Sequence, residues 1–171
     1  MVSAAAAKQD VIESDRQRAW RAAAAVCDPE VPVLTIEDLG VLRSVELEDA
    51  SVTVEITPTY SGCPAMNTIA LDVEVALEKA GFSKPVVKLV HSPAWTTDWM
   101  NDAAREKLRV FGIAPPAGSG SRGVLFGIDE IACPKCGSVN TRKISEFGST
   151  ACKAHYTCNA CFEPFDYFKC I

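Results

Sequence analysis

Residues 41–81 read VLRSVELEDASVTVEITPTYSGCPAMNTIALDVEVALEKAG, and their periodicity changes part-way along. Positions 41, 43, 45 and 47, then Val52, Val54 and Ile56, keep a period of two. That is the pattern of two half-buried strands. The run Glu48-Asp49-Ala50-Ser51 supplies the turn of a hairpin, and Pro58 breaks the second strand. From Pro64 the period becomes helical, with Met66, Ile69, Ala70, Val73, Leu77 and Ala80 on one face. Pro64 suits a first helical position and Gly81 a C-terminal stop.

Working outward, residues 11–27 predict a first helix, with Asp10 as cap and Glu13 completing a capping box. Asp28-Pro29 ends it, because a residue before proline avoids helical dihedrals. VPVLTIEDLG, residues 31–40, then reads as a loop with one short turn. Beyond Gly81, PVVKLVHS predicts a third strand. TTDWMNDAAREKLRVFG predicts a third helix with a Thr cap, Met100, Ala103, Ala104, Leu108 and Phe111 inward, and Gly112 after it. Helix, strand, strand, helix, strand, helix is a small α+β domain.

The boundary of that domain is expected at APPAGSGSRG, residues 114–123, where proline, glycine and serine interrupt all apolar pattern. The reading is therefore an α+β domain over residues 1–113, a linker over 114–123, and a second module over 124–171. The chain has 171 residues and a net charge of −5. Residues 1–112 carry 11 basic and 17 acidic side chains, and residues 131–171 carry 5 and 3. Neither balance suits a broad grip on nucleic acid. No apolar run is long enough to span a membrane, and MVSAAAAKQD lacks the basic start and longer apolar segment of a signal peptide. A cytoplasmic protein is expected.

Eight cysteines in such a chain point to metal or thiol chemistry before disulfides. Cys133 and Cys136 in CPKCG and Cys158 and Cys161 in CNACF make two CxxC knuckles with 21 residues between them. Each knuckle supplies one edge of a tetrahedron, and intervening strands bring the edges together. A segment this short cannot hold itself by core burial, so the ion would supply its folding free energy. A structural Zn is the expected ion. A single Fe in the same thiolates, an Fe–S cluster and a disulfide pair are the alternatives. Four protein ligands leave no open position for catalysis. Cys152 and Cys170 flank the second knuckle, with His155 nearby in sequence. They read either as a second metal site or as small buried side chains. The aromatic run in CFEPFDYFKC alternates with polar residues, as a strand face does.

Cys63 stands apart. It falls where the helix over residues 64–80 begins, and unpaired backbone N–H groups and the helix dipole stabilise an anion there. That field is expected to favour thiolate. The competing reading is a thiol that only packs. A Cys–His hydrolase pair with His91 lacks any supporting signature.

DPEVPVLTIEDLG, the hairpin, TPTYSGCPAM and SPAWTTDWM together resemble the MIP18 (DUF59) family of iron–sulfur assembly factors over about residues 15–112. CPKCGSVNT, EFGSTACKA and EPFDYFKC extend the resemblance to the branch that accompanies the phenylacetyl-CoA epoxidase system, its D-type (or J-type) proteins. The resemblance implies a MIP18-like α+β domain with a C-terminal zinc-ribbon-type β module. It also implies a non-catalytic role in aerobic phenylacetate catabolism: assembling or delivering iron or an Fe–S centre to the oxygenase or reductase component. Asp28, Pro29 and Glu30 match the family's leading motif, Asp38, Leu39 and Gly40 its loop motif, and Trp95, Thr96 and Met100 the segment after the third strand. Cys63 matches its single cysteine, which makes Cys63 a functional thiolate and a contact for Fe or Fe–S. Asp38 reads as a polar group beside it or as a loop cap. A homodimer pairing two Cys63 side chains, or help from Cys152 and Cys170, would supply further ligands. A stably bound oxygenase component and a nucleic-acid-binding ribbon are the rival functions.

Overall fold

A computed structural model describes residues 4–48, 51–116 and 131–169, with side chains from Ser14 onward. It begins with a helix longer than expected. Helix α1 runs Ala4–Ala24, because alanine is the strongest helix former and the run Ala4–Ala7 carries the helix past Asp10. Asp10 therefore lies inside the helix, not at the capping position expected of it. The C-terminal end is also earlier than expected. Strand β1, Cys27–Asp28, pairs antiparallel with β2, Val31–Thr35, where a loop was expected. Asp28 drives this turn: its Oδ1 accepts from the N–H of Glu30 at 2.7 Å and of Val31 at 3.0 Å.

The hairpin forms as read, with β3 over Leu42–Glu48 and β4 over Ser51–Ile56. Helix α2, Ala65–Lys79, follows, and β5, Val86–Leu89, returns parallel to β4. The sheet order is β3-β4-β5, with α2 as the crossover that a parallel pair requires. Pro64 caps α2 at φ −70°, and Gly81 follows its C-terminal end at φ +93°. Val45, Val52, Val54, Val73 and Leu77 are fully buried, as are Ala19 and Ala23 of α1. Burial of each such valine or leucine side chain contributes about 1.5–3 kcal/mol. Arg16 of α1 donates from Nε to the Val45 carbonyl at 3.0 Å, tying helix to sheet.

The described residues gather into two compact units, Met1–Ala94 and Trp95–Ile171. The second begins with a 3-10 turn, Thr97–Trp99, and α3, Asp102–Phe111. One continuous helix was expected. Met100 is instead extended, and Asn101 starts a new helix by accepting from the Ala104 N–H at 2.7 Å. Met100, Ala104 and Leu108 are buried as read, whereas Ala103 and Phe111 face solvent. The stripe of so short a helix is narrower than the sequence pattern suggests. Gly112, at φ +94°, leads into β6, Ile113–Ala114.

Strands β7, Thr141–Ser145, β8, Lys153–Cys158, and β9, Pro164–Phe168, complete a sheet of order β6-β9-β8-β7. The aromatic run forms β9, as expected. Phe165 stacks on Tyr156 at 5.9 Å and Tyr167 meets the same ring edge-on at 5.7 Å. Trp95 closes on Phe168 at 6.4 Å. From residue 117 onward the expected linker lies outside the described residues. No helix among the described residues is long and apolar enough to cross a membrane.

Candidate functional site

The two knuckles meet. The Sγ atoms of Cys133, Cys136, Cys158 and Cys161 all lie within 4.8 Å of one another. Cys133 and Cys161 are 3.8 Å apart, and Cys136 and Cys158 are 3.6 Å apart. A tetrahedral ion with bonds of about 2.3 Å to sulfur has S···S edges of roughly 3.8 Å. The two shortest edges match such an ion, and the four side chains together form a set that could hold one.

Local backbone builds each knuckle. In the first, the Gly137 N–H donates to the Cys133 carbonyl at 2.8 Å, and in the second the Phe162 N–H donates to the Cys158 carbonyl at 3.0 Å. The N–H groups of Ala160 and Cys161 point at Cys158 Sγ, each at 3.4 Å. Asn159 donates to Asn140 from both backbone and side chain, at 2.8 and 2.9 Å, locking the knuckles together. The N–H of Cys161, helped by that of Ala160, holds the Cys158 thiol down to about 6. Cys161 is pushed up to about 12: the Glu163 N–H pulls it down, but burial and the thiols of Cys136, Cys158 and Cys133 outweigh that pull. Four thiols this close cannot all ionise until a cation sits between them.

Cys152 is not part of this group. It is buried beside Thr150, whose Oγ1 lies 3.0 Å from its Sγ. His155 is turned to Asp166, Nδ1 to Oδ1 at 3.2 Å. Asp166 also accepts from Ser149 Oγ at 2.7 Å. Burial alone would raise this carboxyl, but the Ser149 and His155 hydrogen bonds outweigh it and leave it below the usual range. Gly148 permits the approach, since a Cβ there would lie 2.6 Å from Asp166 Oδ1. Cys170 lies outside the described residues.

In the first unit, Cys63 sits just before α2, as read. Gly62, at φ +85°, turns the chain, and the Cys63 N–H donates to the Tyr60 carbonyl at 3.2 Å. The thiol is half-buried. Its expected thiolate character does not follow. Burial raises its pKa first, and the Glu30 and Asp28 carboxylates raise it further. Hydrogen bonding to the Ala65 backbone and to Tyr60 opposes this and loses. The helix-end argument is right in sign and too small against desolvation and two anions.

These acids are the neighbours that sequence reasoning missed. In the sequence Asp28 and Glu30 read as a motif and a helix stop, with no role beside Cys63. Asp38 is a loop cap: its Oδ2 accepts from the Thr35 N–H at 3.0 Å, and its own N–H donates to Thr35 Oγ1 at 3.1 Å. Thr57, just after β4, keeps its Oγ1 buried without a hydrogen-bond partner among the described residues. His91 is exposed and is not among the groups that perturb Cys63.

Comparison with known proteins finds a separate family for each part of the chain. Residues 16–84 match the family described as iron-sulfur cluster assembly protein, and residues 118–169 match the PaaD zinc beta ribbon domain. A relative from Escherichia coli (strain K12), described as a "Putative 1,2-phenylacetyl-CoA epoxidase" of the D-subunit type, is 51% identical over 152 residues, covering 89% of this chain and 91% of its own. An "Fe-S protein maturation auxiliary factor" from Porphyromonas gingivalis (strain ATCC BAA-308 / W83) is 38% identical over 85 residues, or 48% of this chain and 80% of its own. The crystal structure of a domain of unknown function, DUF59, from Bacillus anthracis superposes with a TM-score of 0.55 at 25% identity, covering 58% of this chain and 96% of that one.

Proposed function

The chain belongs to the family of D-type 1,2-phenylacetyl-CoA epoxidase proteins, and from that premise we propose that it is a non-catalytic accessory factor of such a system. It receives iron or an Fe–S precursor at Cys63 and passes it to the oxygenase or reductase component. The ribbon holds a structural Zn in its closed four-thiolate site, which fastens the second unit and leaves no position for substrate.

The observation that supports this reading is the setting of Cys63. A thiol meant to attack carbon is served by neighbours that lower its pKa. Here desolvation and the Glu30 and Asp28 carboxylates raise it. Those same carboxylates attract a cation, and a cation displaces the thiol proton. The site therefore disfavours a bare thiolate, and a cation brought to the sulfur would offset that. Half-burial leaves the sulfur accessible, so cargo held by few ligands can leave again. Asp28 is itself fixed by two backbone N–H groups, so its charge is held in place without rearrangement.

The test is anaerobic co-production of the epoxidase components with wild-type chain or with Cys63→Ser. Under this reading the variant keeps its ribbon metal, yet the iron content of the oxygenase or reductase falls. Undiminished partner iron with Cys63→Ser would sink the proposal. If partner activity then depended on stoichiometric co-purification instead, a stably bound component of the oxygenase would be the better description.

A further inference from the structure

The ribbon sheet stops at β7, which pairs with β8 alone; among the described residues no strand pairs with its outer edge. None of β7 is buried: Thr141 is half-buried and residues 142–145 are exposed. Ile144 is 51% exposed, and Phe147, just beyond the strand, is 64% exposed. An open edge with exposed apolar side chains is a template for another strand. The charges along it are lopsided. Arg142, Lys143 and Lys169 stand against Glu146 alone. Lys143 reaches Glu146 at 3.0 Å, and Lys169 lies 4.7 Å over the Phe147 ring.

This charge pattern selects the occupant. A second copy paired edge to edge would bring its own Arg142 and Lys143 alongside these cations, and like charges across a strand pair are destabilising. A nucleic acid would satisfy the cations, but it would meet Glu146, exposed aliphatic surface and a chain of net charge −5. An extended protein segment with alternating apolar and acidic side chains satisfies backbone, Ile144 and cations together. We propose that β7 is a docking edge for such a segment of a partner protein, which adds to the ribbon as a further strand.

The test uses the full, metal-loaded chain, labelled with 15N, and three probes: a peptide of about ten residues alternating Val and Glu, its Val/Lys counterpart, and a thymidine oligonucleotide. The Val/Glu peptide at millimolar concentration should shift the amides of residues 141–145 and lose affinity as salt rises. Arg142→Glu and, separately, Ile144→Asp should each weaken binding by about tenfold or more, whereas Glu74→Lys on α2 should not. Shifts that miss β7, no shifts at all, equal binding of the Val/Lys peptide, or response to the oligonucleotide alone would each overturn the proposal. So would concentration-dependent dimerisation through β7 without peptide.

Discussion

Phe162 holds, in the second knuckle, the left-handed conformation that Gly137 holds in the first: φ is +62° for the phenylalanine and +74° for the glycine. Both residues follow the second cysteine of their knuckle. Glycine takes this conformation freely, while a side chain costs roughly 1–2 kcal/mol. Phe162 is also 80% exposed, so no burial offsets that cost. Phe162→Gly removes the strain but frees the unfolded chain by about 0.5–1 kcal/mol. A net gain of about 0.5–1 kcal/mol in ribbon stability is expected, with none for Phe162→Ala. Chemical denaturation of the two metal-loaded variants distinguishes them.

Cys136 is the ligand most open to solvent. Cys136→Ser should reduce bound metal to below one ion per chain and unfold the ribbon, because ion binding of about 10–16 kcal/mol is also folding free energy in modules of this size. The helical signal of α1 and α2 should persist. Metal analysis with circular dichroism and amide dispersion checks this, and a folded, metal-free ribbon would contradict it.

Acid should release the ion. The Cys158 pKa is lowered to about 6 in the fold, so its thiolate is favoured above that pH and lost as pH falls through it. Its stabilising share therefore disappears on the acid side, where protons compete with the ion for all four sulfurs. A chromogenic chelator should report release that increases as pH falls from about 8, because protons compete with the ion for the four thiolates.

Cys63 should alkylate more slowly than an unhindered cysteine at neutral pH, since its pKa is raised. Glu30→Gln removes one of the anions that oppose ionisation, so alkylation should become faster at a given pH. Mass spectrometry of iodoacetamide time courses, resolved by peptide, measures both. A slower reaction in Glu30→Gln would show that the carboxylate does not act on the thiol through its charge.

Gly148→Ala should cost about 1–3 kcal/mol. The new Cβ would press on Asp166 Oδ1 and loosen its hydrogen bonds to Ser149 and His155. Asp166→Ala removes the obstacle along with the bonds. The two substitutions should therefore combine to much less than their sum, and a double-mutant cycle in denaturant measures the difference.

The elements legible in the sequence are those written in short-range pattern. The hairpin, α2, the Gly81 and Gly112 stops and the four-cysteine spacing all depend on residues a few positions apart. Period, turn chemistry and CxxC spacing act over that range, and each of these elements reads with its type correct. The misreadings lie where distant residues compete. β2 pairs with β1 because Asp28 folds the chain back, and the third helix breaks at Met100 because Asn101 offers a better cap.

The amino-acid sequence by itself determined that Cys63 would stand at the start of a helix, and that four other cysteines would form a closed set. The tertiary structure alone decided which charges and hydrogen bonds surround the Cys63 sulfur. A thiol's charge state depends on the water it loses and on every charge within reach. Asp28 and Glu30 come into reach only once the β1–β2 turn has formed and β1 has packed against α2.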